Sequence, residues 1–464
     1  MGDLRDFEAD LARSLRRLES HTQFAEVLAE ADAGESLRHE RKSTSLSRDP
    51  HIRGAVIRAW GGTRWVEAAS SALDAGSLDS AAQSLERSLG KSGSAAPPPG
   101  EPSTLRQEWP DRPAHPMRSV PSEEMLSLAR DIFGWATAVP GIQDAQVRIG
   151  WSDEERLYLN TAGARCYEIL CRVHSACFPL ALENGRAEYD YMADGSLGGK
   201  ERLTFLNEEK VAKVARSALE LLHAPAPPTG EMTVILDPST AGTFAHESFG
   251  HGTEADQFVR DRSYLRPILG QAVGPEFLTL IDSGAYPDAW GTIRFDDEGR
   301  LGQRTLLVDR GRFVGALHDR ETAAVFHVPP TGNARRADFL SRIFVRMTNT
   351  YLEPGDWTFD ELVQEAKHGV VLEHATSGIE DPLGGQMQLK VKRGHRIENG
   401  QIAGPVSSMA LSGKVLEFLT RIRGISQGSD FEMGPGYCGK GHTDLLPVGS
   451  GGTYLLSTAV VGPA

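Results

Sequence analysis

Two histidines bracket a glutamate near the middle of the chain, and their types and spacing are the clearest indication of chemistry in the sequence. His246, Glu247 and His251 form an HExxxH array. Imidazole nitrogens are good zinc ligands, and a carboxylate beside a metal can take a proton from a bound water. The array therefore indicates a metal-dependent hydrolase.

The spacing of the two histidines is one residue longer than in the common HExxH zinc helix. Residues five apart on a regular α-helix lie about 140° apart around the axis, whereas residues four apart lie about 40° apart. A π-type turn with one inserted residue restores a shared face, and such turns occur mostly at functional sites. We therefore predict a widened turn near Phe249 and Gly250, where the glycine eases the distortion.

A catalytic zinc ion usually has three protein ligands, so the two histidines leave one ligand to be found. The candidates by residue type are Cys438, Glu254, Asp256 and His442. Cys438 stands in the glycine-rich stretch GPGYCGKGH, where the backbone can approach closely and the lysine favours a thiolate. A buried structural cysteine is the alternative, and residue type alone leaves the choice open.

Composition excludes several classes of protein. The net charge of −14 argues against nucleic acid as the main partner, because phosphate binding needs clustered lysine and arginine. Four cysteines in 464 residues make no disulfide framework and suit a reducing cytoplasm. The start, MGDL, carries no signal region, and no apolar run reaches membrane-spanning length. We expect a cytoplasmic protein with no membrane partner.

Two composition changes divide the chain into the parts that must position these residues. The stretch 91–116 is rich in Pro, Ser and Gly and predicts a linker or long surface loop. Prolines at 225–228 mark a boundary. The expected fold is α+β, with an N-terminal α/β domain over 1–225. An antiparallel β-rich catalytic domain over 226–464 is expected to carry the HExxxH helix.

Local patterns predict the elements within these parts. Helical periodicity predicts an amphipathic first helix along 4–18 and further helices at 80–89, 122–136 and 208–222. Apolar runs predict strands at 55–60, 145–149, 166–182 and 233–236. The helix bearing the histidines is predicted over 241–250, capped by Ser239 or Thr240. Asn399-Gly400 between two alternating segments predicts a hairpin.

Several longer stretches agree with one protein family. They are HESFGHGTEAD (246–256), FDDEGRLGQRTLLVDRGRFVGALHDR (295–320), PPTGNARR (329–336), RMTNTYLEPGD (346–356) and GYCGKG (436–441). With these motifs the chain resembles the TldD/PmbA family of metallopeptidases. The PmbA/TldE side of that family lacks the metal array, so the resemblance is to the metal-bearing TldD side.

The resemblance implies a ligand set and a base. Zinc would be held by His246, His251 and Cys438, with Glu247 as general base and proton shuttle. After the cysteine the family tends to read CGKEGQ, whereas this chain reads CGKGHT. His442 therefore stays an alternative third ligand.

The resemblance also implies a substrate class and an assembly. Members act on unstructured peptides and are implicated in maturation or leader removal of ribosomally made peptide natural products, or in general peptide degradation. They form homodimers, or heterodimers with a metal-free homologue.

The candidates for the wall of the substrate site come from two of the matching stretches. They are Arg346, Asn349, Tyr351 and His318, with Arg320 beside the last. Ordinary structural roles are the alternative for each of them.

Two other functions compete with a peptidase. One is a metal-dependent amide hydrolase or tailoring enzyme on a non-peptide substrate, which would keep the same metal site. The other is a non-catalytic scaffold subunit of a heterodimeric protease, which the intact histidine–glutamate–histidine array argues against.

Overall fold

A computed structural model of the chain describes residues 3–49, 51–89, 97–440 and 445–464. Helices and largely antiparallel sheets share it, so the predicted α+β class is confirmed. His442 and part of the predicted 91–116 linker lie outside the described residues. Within the described ranges, no helix is long and apolar enough to cross a membrane.

The first half of the chain builds one large sheet with helices against it. Its helices are α1 (Glu8–Leu18), α2 (Ala75–Leu89), α3 (Ser122–Thr137) and α4 (Glu208–His223). Its strands are β1 (Ala25–Glu40), β2 (Ser43–Arg48), β3 (Ile52–Trp60), β4 (Trp65–Ser70), β5 (Arg106–Trp109), β6 (Ile142–Asn160), β7 (Arg165–Glu183), β8 (Arg186–Tyr189) and β9 (Met192–Leu197). The main strand order is β4-β3-β1-β6-β7-β5, and only the β5–β7 pair is parallel.

One face of this sheet buries apolar side chains, and the other buries charged side chains. Alternate β1 residues Val27, Ala29 and Ala31 form an apolar core with α1 and α2. Glu26 and Glu30 point to the other face because side chains alternate along a strand, and they too are buried. That charged face contacts the second half of the chain through buried arginine–carboxylate pairs.

The second half contributes short helices and many strands. The helices are α5 (Pro238–Ala245), α6 (Ala255–Val259), α7 (Arg320–Phe326), α8 (Phe359–Ala366) and α9 (Val415–Thr420). The strands are β10 (Gly230–Leu236), β11 (Leu280–Ser283), β12 (Arg304–Asp309), β13 (Arg312–Phe313), β14 (Ala334–Arg335), β15 (Phe344–Val345), β16 (Asn349–Leu352), β17 (Gly369–Glu380), β18 (Gln386–Glu398), β19 (Gln401–Val406), β20 (Met409–Lys414), β21 (Gly424–Ile425), β22 (Glu432–Cys438), β23 (Leu446–Gly452) and β24 (Leu455–Pro463).

These strands form two main sheets with α5 packed between them. One sheet has the order β10-β17-β18-β20-β24-β21, and the other has β13-β12-β11-β16-β23-β22. Helix α5 contacts β17 of the first sheet and β23 of the second. Its Gly242 lies so close to β23 that a Cβ there would sit 2.8 Å from the Gly451 amide nitrogen. The helix is therefore fixed from both sides.

Most predicted elements are present with shifted ends. The first helix, the strand at 55–60, the helix at 122–136 and the strand at 233–236 are confirmed. Asn399 and Gly400 have φ of 55° and 71° and join β18 to β19, as the hairpin prediction requires. The described part of the 91–116 stretch contains one strand, β5, and four residues are too few to reveal it by alternation.

Candidate metal centre

Helix α5 presents the two histidines through a change of helix type. Asp237, rather than the predicted Ser239 or Thr240, caps α5 by accepting a 2.8 Å hydrogen bond from the Thr240 amide. The α-helix ends at Ala245, and His246–Gly250 form a π-helical turn. The His251 amide donates to the His246 carbonyl, five residues back. The predicted widened turn is confirmed.

This turn brings the histidines onto one face, where Cys438 meets them. One ligand atom each of His246, His251 and Cys438 lies within 4.8 Å of the other two. The Cys438 sulfur is 3.1 Å from His251 Nε2, across 187 residues of sequence. Cys438 is the last residue of edge strand β22, so the six-stranded sheet positions it beside the histidines. The three residues are the one such group found among the described residues.

The electrostatics of Cys438 differ from those of the other cysteines. Burial would raise the pKa of its thiol, but His246 and His251 outweigh burial and hold the pKa at about 5. Burial raises the pKa of the thiols of Cys166, Cys171 and Cys177 to about 12. Thiolate is the form that binds metal, so only Cys438 has the environment of a ligand.

An ion cluster behind the centre holds His251 and the Cys438 loop together. Lys440 Nζ lies 2.9 Å from Glu254 and 2.6 Å from Asp256. Glu254 also lies 3.5 Å from His251 Nδ1. Burial acts to raise the pKa of Glu254, yet Lys440 and His251 lower it to about 2. Glu254 and Asp256 thus form ion pairs with Lys440 and are not part of the group of three ligand atoms.

Arg346 belongs to this cluster and is 2 % exposed. It donates a hydrogen bond to the Cys438 carbonyl and lies 3.8 Å from Glu254. These contacts fix the backbone of the third candidate ligand. The sequence placed Arg346 in the substrate wall, whereas the structure places it behind the ligands.

Asn349 and Tyr351, two further residues predicted for the wall, are buried. Asn349 is fully buried, and its amide accepts from the Gly291 amide and donates to the Ser283 carbonyl. Tyr351 packs edge-to-face against Tyr286, within the six-stranded sheet.

His318 and Arg320 are also buried, in two different environments. Burial lowers the pKa of His318 to about 4, and its ring lies against Phe326. Arg320 is 1 % exposed and pairs at 3.2 Å with Glu26 of the N-terminal sheet.

Strand β17 passes the centre on the side of Glu247. That glutamate is half-buried, and a Cβ on Gly378 would lie 2.8 Å from its carboxylate carbon. Only glycine leaves this space at 378. Glu380 follows two residues later, and burial raises the pKa of its carboxyl to about 8. Nothing in the local sequence distinguishes Glu380 from an ordinary strand acid.

The three converging residues fit a metal ion. His246 Nδ1 is buried with no hydrogen-bond partner in the described chain. Two imidazoles and a thiolate form a donor set that zinc accepts. Tetrahedral zinc places such ligand atoms about 3.3–3.8 Å apart, which lies inside the observed 4.8 Å limit.

Sequence comparison also finds metallopeptidases among the proteins that are similar to this chain. The model of the PmbA/TldA metallopeptidase C-terminal domain matches residues 229–459. A metalloprotease of Methanocaldococcus jannaschii is 36% identical over 318 residues, covering 68% of this chain and 69% of that one. A zinc metalloprotease TldD homolog of Saccharolobus solfataricus is 33% identical over 247 residues, covering 53% and 54%.

Solved structures share the fold across nearly the whole chain. A putative modulator of a DNA gyrase from Thermotoga maritima gives a TM-score of 0.79 at 19% identity, covering 98% of this chain and 100% of that one. TldE from Thermococcus kodakarensis gives a TM-score of 0.74 at 15% identity, covering 98% and 100%. At these identities the likeness concerns the fold.

Proposed function

We propose that this chain, which belongs to the PmbA/TldD family of metallopeptidases, is a zinc peptidase that hydrolyses peptides lacking a stable fold. The observation that carries the proposal is the convergence of His246, His251 and Cys438 within 4.8 Å. These three side chains would hold the ion. The relative in Saccharolobus solfataricus is a zinc metalloprotease TldD homolog, which supports the choice of metal.

Each nearby residue has a part in the proposed hydrolysis. A zinc ion, when bound, supplies a Lewis acid and lowers the pKa of a coordinated water. Glu247 would accept a proton from the attacking water and pass it to the leaving amine. Gly378 leaves room for the Glu247 carboxylate against β17. Arg346 and Lys440 keep Cys438 and His251 in place from behind.

The edge of β17 supports an extended peptide as substrate. Strand β10 pairs with β17 only over residues 370–372, whereas β18 pairs with it as far as Glu380. Beyond 372, no described strand pairs with the other edge of β17. Ser377 and Ile379 are exposed there, on either side of Gly378, which lies against Glu247. An unfolded peptide added to this edge would be held mainly by backbone hydrogen bonds, which tolerate many sequences.

Such tolerance suits two biological roles and one kind of assembly. The roles are leader removal from a ribosomally made peptide natural product and general degradation of peptides. The assembly is a homodimer, or a heterodimer with a metal-free homologue.

The test is Glu247→Gln in the zinc-loaded protein, with Glu417→Gln as the matched control. Glu417 is 58% exposed on α9 and touches only Lys414 among the described ion pairs. We expect Glu247→Gln to retain zinc and to lose peptide cleavage by about 100-fold or more, since a general base contributes about 10²–10⁴-fold. The control should cleave like the wild type.

Three outcomes separate the proposal from its alternatives. Cleavage that survives Glu247→Gln would remove Glu247 as the base. Cleavage of small amides but not of peptides would indicate a tailoring enzyme. A zinc-loaded wild type that cleaves neither, alone or with a metal-free homologue, would indicate a scaffold subunit.

A further inference from the structure

Glu380, at the end of β17, lies beside the proposed metal centre. Its Oε1 is 3.2 Å from the position that a Cβ on Gly252 would occupy, and Gly252 follows His251. Both carboxyl oxygens are buried from solvent. The Tyr264 hydroxyl lies near them and can donate either to Glu380 or to the Ser248 carbonyl, which is 3.1 Å away.

Glu380 and the proposed base share one face of β17. Glu247 lies against Gly378, and residues two apart on a strand point to the same side. A strand rises about 3.3 Å per residue, so Glu380 stands about 7 Å further along the same face. A peptide lying along this edge with its scissile bond near Glu247 would therefore bring an adjoining group to Glu380.

A buried carboxyl group without an ion-pair partner is costly to ionise, so the counter-charge of Glu380 is expected to come from outside the chain. The ligand atoms that converge are those of His246, His251 and Cys438, so Glu380 is not part of that group. His251 is a nearby group that can carry positive charge, but an imidazole that binds metal is neutral, and Glu247 and Glu254 add negative charge. The remaining source of a cation is the substrate.

The α-ammonium group is the cation that an extended peptide carries at its own backbone. A peptide paired with the edge of β17 would bring that group along the strand without a separate pocket for a lysine or arginine side chain.

We propose that Glu380 binds the α-ammonium group of the peptide substrate and so directs cleavage to the N-terminal end. This inference rests on the proposed peptidase function and names the part of the peptide that the site recognises. Glu380 is then a specificity residue, and Glu247 remains the base.

The test compares one unstructured peptide with a free and with an acetylated N-terminus, labelled at its C-terminal end. In the zinc-loaded wild type we expect a much lower KM for the free form. Glu380→Gln should raise the KM of the free form by on the order of 10- to 100-fold, the worth of a charge-assisted hydrogen bond, and leave the acetylated form nearly unchanged. Glu380→Asp should restore part of the preference.

A binding measurement separates recognition from chemistry. In the Glu247→Gln background, fluorescence anisotropy should give the same free-over-acetylated preference, and adding Glu380→Gln should abolish it. Zinc content and unfolding temperature identify variants that have lost the site itself. Glu398→Gln is the control, since Glu398 is an exposed glutamate at the end of β18. It should change neither the KM nor the binding constant of either peptide.

Equal cleavage of both peptides by the wild type would overturn the role of Glu380 and leave the proposed peptidase intact. An equal loss on both peptides in Glu380→Gln would also overturn it, because it would show a structural role. A wild type that neither binds nor cleaves either peptide would overturn the inference together with the peptidase.

Discussion

At the scale of single residues, the centre depends on side chains that do not themselves reach the metal position. Lys440 ties the Cys438 loop to Glu254 and Asp256, and Arg346 binds the Cys438 carbonyl. The proposed zinc affinity should therefore be as sensitive to these partners as it is to the ligands.

Lys440→Met is expected to weaken zinc binding by about 10- to 100-fold, the usual effect of removing a partner of a ligand. Without the ammonium group, Glu254 and Asp256 repel each other and the Cys438 loop loses its anchor. Competition with a zinc chelator measures the affinity directly. Lys414→Met, which removes an exposed lysine, should leave the affinity unchanged; an equal loss in both variants would contradict the prediction.

His318 gives a prediction about acid. Burial holds the pKa of its imidazole at about 4, against about 6.5 when unfolded, so acid protonates the unfolded chain first. The folded protein should lose about 2 kcal/mol of stability from this residue between pH 7 and pH 5. The gap in unfolding temperature between His318→Leu and wild type should therefore shift in favour of the variant as pH falls. A gap independent of pH would refute this.

Residue type alone indicates two candidate histidine ligands and a candidate base but leaves the third ligand open. Cys438, Glu254, Asp256 and His442 are all suitable by residue type, and they stand up to 196 residues from His246. Among the described candidates, Lys440 pairs with both acids, whereas two imidazoles face the Cys438 sulfur, which favours Cys438. The fold brings these neighbours together from distant parts of the chain, so the local sequence cannot predict them.

At the scale of elements, the π-helical turn is the feature that the sequence predicts best. The cause is geometric, because two histidines five residues apart do not share one face of a regular α-helix. The HExxxH array shows this spacing directly. The cap at Asp237 differs from the predicted Ser239 or Thr240 because Ser, Thr and Asp are nearly equivalent as caps.

Gly250→Ala should disrupt this turn. A Cβ at 250 would overlap the Met347 sulfur, so the turn or the core beneath it has to move. We expect reduced zinc content and a lower unfolding temperature.

Gly134→Ala is the matched control, because a Cβ at 134, inside helix α3, meets nothing within 4 Å. It should raise stability by about 0.5–1 kcal/mol, since alanine replaces glycine in a helix. Full zinc content in Gly250→Ala would contradict the importance of the tight approach.

At the scale of the whole molecule, a buried ionic layer joins the N-terminal sheet to the second half. Glu298 pairs with Arg58 at 2.9 Å, and Arg320 pairs with Glu26 at 3.2 Å. The alternation of β1 is typical of a strand with one solvated face, so the sequence gives no sign that its acidic face is covered. The division into domains at 225 stays a prediction.

Glu298→Gln is expected to destabilise the protein by about 3–5 kcal/mol, because it leaves buried arginines without their carboxylate. Thermal unfolding and limited proteolysis measure the loss. Glu353→Gln, which breaks an exposed pair with Arg304, should cost less than about 1 kcal/mol. Similar small effects in both variants would show that the ionic layer does not hold the halves together.

The 187 residues between His251 and Cys438 have a consequence for synthesis. A ribosome adds about 5–20 residues per second, so roughly 10–40 s pass between the second imidazole and the thiol. During that interval the nascent chain carries the proposed base and two proposed ligands but no complete centre. The proposed centre can form only after Cys438 has been added, so the unfolded segments made before then do not meet a complete centre.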